Sequence, residues 1–293
     1  MFDYAALAAL AEVIRRASFD AASTALGVTP SAVSQRIKGL EDRVGAVLVH
    51  RGPPVSGTEA GLRLVAHFDR VRLMESALDR DLRPGGGVPV VRLAINADSL
   101  ATWAMPPIAR APGLVDLVID DQDHADGWLR SGLVSAAITG RGTAITGCDS
   151  TPLGQMRYIA TATPEFVARH FPDGPTAQAL GRAPAITYNA RDGLQTRWAQ
   201  AVAGRPIAPP THLIPSSQSF AEAVRLGMGW GMNPLHFVAE DLRAGRLVPL
   251  LADRPLDVAL HWQVERQMAP ALADLTREIR AAARAALLPP MRG

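Results

Sequence analysis

Ser31, Ser34, Gln35 and Lys38 fall on one stripe when PSAVSQRIKGLEDRV is wound at about 100° per residue, and Val33, Ile37, Leu40 and Val44 fall on the opposite one. Such a helix packs by one side and reads something by the other. Gln35 can form paired hydrogen bonds with adenine, Ser31 and Ser34 can contact bases or phosphate, and Arg36 and Lys38 can engage phosphate. The plain alternative is the solvated polar face of an ordinary helix bundle. Arg51 could reach a minor groove or a phosphate, or be a simple surface arginine. A second set of polar residues lies further along. The strand-like VVRLAIN leads into Asp98, Ser99 and Thr102, where a helix start can hold an anion with backbone N–H groups and a hydroxyl. Asp98 and Ser99 could equally do no more than cap that helix. Asp120, Asp121 and Asp123 follow the next strand, at the strand end where ligand sites of α/β sheets collect, and their carboxylates suit a cation. Ser216 and Ser217 precede another helix and could close on the same ligand. No residues are expected to be catalytic: G-x-S-x-G, H-E-x-x-H and Walker A patterns are all missing, and GMGWGM lacks the last glycine of a dinucleotide fingerprint. The seven histidines have no metal-ligand spacing, and Cys148 has no base beside it in sequence.

The elements that must position these groups are legible in part. Thr29 is a hydroxyl N-cap followed by Pro30 at the first helical position. Upstream, Leu7, Leu10, Val13 and Ile14 mark an amphipathic helix, and Ser18 caps a shorter one, FDAASTAL, that ends at Gly27. Two helices joined by a tight glycine-containing turn fit a helix-turn-helix whose second helix enters the major groove. GAVLVHRGPPVSG then reads as a small β-wing. Thr58 can cap a long helix that runs to Pro84 and the following glycines; about 26 residues at 1.5 Å each span roughly 39 Å. Within it Leu64, Phe68, Val71, Leu78 and Leu82 follow a 4-3 spacing, interrupted where Glu75 occupies a slot that Met74 could cover, which implies a partner helix and a dimer; packing against its own domain is the alternative.

PGGGVP marks a boundary, after which strand-like runs alternate with helical ones as in α/β units with largely parallel sheets. The expected division is 1–57 for a winged helix-turn-helix, 58–84 for a dimerisation linker helix and 88–293 for an α/β domain. Within the last, extended crossovers near Thr161–Thr163 and Val264–Met268 would separate lobe I, about 88–161 and 265–293, from lobe II, about 162–264, and leave a cleft between them. The formal net charge of +2 supplies no polybasic tail, so any nucleic-acid contact depends on local placement of charge. One cysteine suits a reducing compartment, the N-terminus lacks a secretory pattern, and no run approaches the roughly 18 apolar residues of a membrane span; a cytoplasmic protein is expected.

SFDAASTALGVTPSAVSQRIKGLE is similar at most positions to the DNA-binding signature of LysR-type transcriptional regulators, and the order of the three parts extends the resemblance over essentially the whole chain. LAINADSLATW, IDDQDH, GWGMNP and ALHWQ resemble the ArgP/LysG branch of that family. The resemblance implies a two-lobed effector domain like that of periplasmic binding proteins, with lysine, arginine or histidine as effector and no cofactor. It also implies a homodimer or homotetramer on an operator of near-palindromic half-sites, contact with RNA polymerase, and activation of a basic amino-acid exporter gene. On this reading Ser99 or Thr102 meets the effector's α-carboxylate and the acidic stretch meets its cationic head, while Trp103, Trp230 and Trp262 are packing residues. Pro30 stands where many relatives carry glutamine, so a side chain often used for base contact is missing. Two alternatives remain: a regulator of this family with a different small-molecule effector, and a solute-binding protein, against which the DNA-binding module counts.

Overall fold

The computed structural model describes residues 2–82, 89–120 and 125–290, the side chains of residues 76–82, 125 and 126 excepted. Three helices open the chain, α1 (Tyr4–Arg16), α2 (Phe19–Leu26) and α3 (Pro30–Val44). Each begins on a side-chain oxygen: Asp3, Ser18 and Thr29 accept from the backbone N–H of Ala5, Ala21 and Ala32, amides that a helix start leaves without a partner. α2 and α3 end on Gly27 and Gly45, whose φ of 64° and 73° lies in the left-handed region. Leu7, Leu10, Val33 and Ile37 are fully sealed between these helices. β1 (Val49–His50) and β2 (Ser56–Gly57) pair antiparallel as the wing.

The long helix α4 (Glu59–Leu82) starts at Thr58, whose hydroxyl accepts from the Gly61 N–H at 3.1 Å and donates to the Val47 carbonyl at 2.8 Å. Here wing and helix touch. A Cβ on Gly61 would sit 2.0 Å from the carbonyl oxygen of Leu48. Gly61→Ala is therefore expected to destabilise the N-terminal domain by about 1–3 kcal/mol through overpacking, although alanine is the better helix former. An unchanged melting temperature for this variant would show that the wing can yield.

Phe68, with Val65, is buried in the N-terminal core, and Leu64 packs at its edge. For Phe68 this is the alternative weighed above, packing within its own domain, while Leu64 stays half-buried beside it. Val71 is half-buried, and the side chains of Leu78 and Leu82 lie outside the described residues. Leu73, by contrast, is fully buried in the core of the C-terminal domain. Asp69 of α4 pairs with Arg15 of α1; burial raises its carboxyl above the usual range, against the pull of Arg15. Arg70 reaches the other way and donates to Glu265 at 2.8 Å.

The C-terminal domain runs β3 (Val90–Ile95), α5 (Ala97–Ser99), a π-helical turn (Leu100–Ala104), α6 (Met105–Ile108), β4 (Leu114–Ile119), α7 (Ala125–Arg130), β5 (Ala136–Thr139) and β6 (Cys148–Ala162). It continues with α8 (Pro164–His170), α9 (Ala177–Leu180), β7 (Ala185–Thr187), α10 (Leu194–Ala203), β8 (Thr211–Leu213) and α11 (Ser217–Arg225). The last elements are β9 (Gly231–Pro234), α12 (Leu235–Arg243), β10 (Val248–Pro249), β11 (Leu256–Glu265) and α13 (Ala273–Ala286). One sheet has the order β10-β6-β11-β5-β3-β4, with β9 also on β6, and β7 and β8 form a separate parallel pair. β3 is parallel to β4 and β5, whereas β11 is antiparallel to β5 and β6, so the sheet is mixed rather than largely parallel.

The cause is the pair of long strands. β6 and β11 pair from Leu256 opposite Tyr158 to Glu265 opposite Cys148, while the strands of the second lobe, β9 and β10, join β6 between Tyr158 and Ala162. The expected crossovers near Thr161–Thr163 and Val264–Met268 fall at the ends of these two strands, β6 at Ala162 and β11 at Glu265. Their pairing has a register shift between Leu260 and His261, facing Gly154. Gly154 has φ 141°, and a Cβ there would meet the Leu288 carbonyl oxygen at 2.5 Å, so the C-terminal chain closes over the irregularity.

Candidate ligand cleft and nucleic-acid interface

With Val33, Ile37 and Leu40 buried, α3 turns Ser31, Gln35 and Lys38 to solvent, and Ser34 and Arg36 flank them half-buried. The Ser31 hydroxyl lies 3.0 Å from that of Thr29. Arg51 is exposed but not extended: its guanidinium lies 5.6 Å from the Phe19 ring centroid and 3.6 Å from Glu41. Glu41 also accepts from the Leu48 N–H at 2.9 Å, so one carboxylate at the end of α3 fixes the approach to the wing and holds its arginine.

The second site is a cleft of about 680 Å³, its open mouth included. One wall follows the ends of β3 and β4, with Asn96, Asp98 and Asp120; the other carries Tyr188–Asp192, after β7, and Ser217, at the start of α11. Carboxyl ends of parallel strands are where such sheets leave room for a ligand. Asp98 accepts from the Tyr158 hydroxyl of β6 at 2.8 Å on Oδ2 and from the Ser217 hydroxyl at 2.7 Å on Oδ1. Asp120 accepts from the Trp128 indole N–H at 2.9 Å on Oδ2 and from the Arg191 guanidinium at 3.2 Å on Oδ1. Both carboxylates are therefore linked to the opposite wall. Asp192 instead receives the backbone N–H groups of Tyr188 and Leu194, and its charge serves the turn. Burial first, and the charge of Asp98 second, push the Tyr188 hydroxyl up from its ordinary value, so it stays protonated at neutral pH. Asn96 is almost wholly buried, and its Oδ1 has no hydrogen-bond partner among the described residues.

Asp98, Asp120 and Ser217 are thus brought together. Ser99 is fully buried and does not line the cleft; Thr102 donates to the Asp98 carbonyl at 2.6 Å, and Ser216 caps α11. Thr102 and Ser216 line an adjoining groove instead. The helix after β3 has its N-cap at Asn96 and starts at Ala97, so the expected start at Asp98-Ser99 is corrected: both lie in its first turn. Asp121 and Asp123 lie outside the described residues. Sequence reasoning missed Asn96, Tyr158, Tyr188 and Arg191. For Arg191 a signal was present, because Asn189 and Asp192 flank it in a polar turn. Trp103, Trp230 and Trp262 are buried packing residues. Cys148 is buried too, and that burial raises its thiol above the usual range, away from nucleophilic use. Among the described residues no cluster of His, Cys, Asp and Glu could hold a metal, and no helix is long and apolar enough to cross a membrane.

Two carboxylates and one guanidinium facing a small cleft complement a molecule with two cationic centres and one anion. Comparison with known proteins bears on both sites. Residues 4–62 match the family model described as the bacterial regulatory helix-turn-helix protein, lysR family, and residues 87–284 match the LysR substrate binding domain. The HTH-type transcriptional regulator LysG of Mycobacterium bovis is 43% identical over 282 residues, 94% of this chain and 92% of that protein. The crystal structure of ArgP from Mycobacterium tuberculosis superposes with a TM-score of 0.80 at 41% identity, covering 98% of each chain. Full-length LysG from Corynebacterium glutamicum with bound effector Arg gives a TM-score of 0.66 at 34% identity, over 98% of this chain and 100% of that one. With both halves matched in order and the likeness sustained from end to end, the chain belongs to the LysR family of transcriptional regulators, and within it to the ArgP/LysG kind.

Proposed function

We propose that this regulator senses a basic amino acid, L-lysine or L-arginine with L-histidine as a third candidate, in the cleft between its lobes and passes the signal to operator DNA held by α3. The observation that carries the reading is the charge pattern of the cleft: Asp98 and Asp120 offer two anions and Arg191 one cation, the complement of a zwitterion with a cationic tail. A neutral amino acid leaves one carboxylate unmatched. On the DNA side, Gln35, Ser31 and Ser34 face the bases, Arg36 and Lys38 face phosphates, and Arg51 stiffens the wing unless it swings off Phe19 and Glu41. Dimerisation falls to the part of α4 beyond Phe68, beginning with Val71. Effector binding shifts the population of assembly states; access of RNA polymerase to an exporter gene follows, in the cytoplasm, as the family resemblance implies.

Calorimetry with L-lysine, L-arginine and uncharged norleucine tests the reading. A charged hydrogen bond is worth about 1.5–3 kcal/mol, so norleucine is expected to bind at least about tenfold more weakly than lysine. Equal affinities would sink the electrostatic account.

A further inference from the structure

Asp120 is one of the two carboxylates assigned to a cationic ligand, and it already has a cation on it. The Arg191 guanidinium reaches across the cleft to Oδ1 at 3.2 Å. The two partners differ in setting: the Asp120 side chain is 12% exposed and that of Arg191 57%. The carboxylate is fixed by the Trp128 indole on its other oxygen, whereas the arginine is long, wet and able to leave. Its backbone is not free to follow. Asn189 Oδ1 accepts from the N–H groups of Arg191 and Asp192 at 2.8 and 3.2 Å, and Asp192 accepts from Tyr188 at 3.0 Å. A turn held by its own hydrogen bonds therefore presents an exposed guanidinium at the mouth of the site.

We infer that Arg191 is the specificity-determining residue of the cleft: it competes with the ligand's cationic tail for Asp120, and once displaced it takes the ligand's α-carboxylate. The inference rests on the basic amino-acid reading of the cleft. Its physical basis is exchange of ion pairs. A ligand bearing only cations displaces Arg191 and leaves it without a partner, whereas a ligand that also carries a carboxylate gives the guanidinium a planar two-oxygen acceptor in return. The site thereby discriminates amino acids from the polyamines and decarboxylated amines that share their cationic tails.

Agmatine, which is arginine without its carboxylate, separates the two roles. With Arg191→Gln, agmatine loses its competitor and should bind severalfold more tightly, by up to about fivefold given how little a half-exposed ion pair holds. Relief of competition favours arginine equally, so it cancels from the ratio of the two affinities. That ratio reads the carboxylate contact alone, and the preference for L-arginine over agmatine should fall by about tenfold or more. Arg191→Lys, which keeps the charge, should recover part of the preference. The inference is overturned if agmatine affinity in Arg191→Gln is unchanged or weaker, or if the ratio holds. Failure of wild type to bind either lysine or arginine overturns the reading of the cleft itself, and is distinguishable because it is seen before any variant is made.

Discussion

Asp98→Asn should reduce affinity for L-lysine and L-arginine by at least about thirtyfold while leaving the protein folded and DNA binding without effector intact. The substitution keeps the shape of the side chain, and its two neighbours, the hydroxyls of Tyr158 and Ser217, can each turn to donate or accept. What is lost is the charge. Removing one partner of a desolvated charge pair costs about 2–5 kcal/mol, much of it the penalty of leaving the other ion unmatched. With the tail assigned to Asp120, Asp98 is left to meet the α-ammonium, which norleucine shares, so its already weak binding should fall by a similar factor. Calorimetry on both ligands, with a gel shift of operator DNA as control for the fold, decides the matter. An Asp98→Asn protein that binds lysine normally would show that the carboxylate is a structural tie between the lobes and nothing more.

The other large effect is expected on α3. Gln35→Ala removes a side chain able to make two hydrogen bonds to one base, and should cost about 1–3 kcal/mol at one operator position while blurring the preference there. Lys38→Ala should act on a phosphate, weakening binding to all sequences alike and flattening the salt dependence of the affinity. Both residues are exposed on the face opposite the buried Val33 and Ile37, so neither change should disturb the domain. Titrations on operator and random duplex at several salt concentrations separate the two. Equal losses on both duplexes for both variants would mean that the assignment of base reading to Gln35 is wrong.

The N-terminal helices were legible because every signal in them is local. Thr29 caps the helix that Pro30 opens, Ser18 does the same for α2, and the apolar period of α3 names its buried face. The cleft was legible where a polar residue follows a strand or opens a helix, as with Asp98, Asp120 and Ser217, but not in which of these groups meet. The contacts that build it join distant positions: Tyr158 and Ser217 meet Asp98 across 60 and 119 residues, and Arg191 meets Asp120 across 71. No spacing rule joins such pairs. The first half of β6 stayed hidden for a different reason, since Pro152 and Gly154 break its alternation and its pairing with β11 restores what local preference lacks. The spacing of Leu64 and Phe68 left both readings open because a helix has one apolar stripe whether it faces a partner or its own domain.

The middle of α4 joins two cores, Val65 and Phe68 lying in that of the N-terminal domain and Leu73, five residues on, in that of the C-terminal domain. The helix is thus a lever arm with its fulcrum near the effector domain. Its 24 residues at 1.5 Å each make it about 36 Å long. Measured from Leu73 back to Glu59 the arm is about 21 Å, so a tilt of about 8° carries the wing end through about 3 Å, comparable with the rise of one base pair along a DNA strand. On the proposed sensing role, a displacement of the cleft walls too small to repack either core would, at that reach, shift where α3 meets DNA.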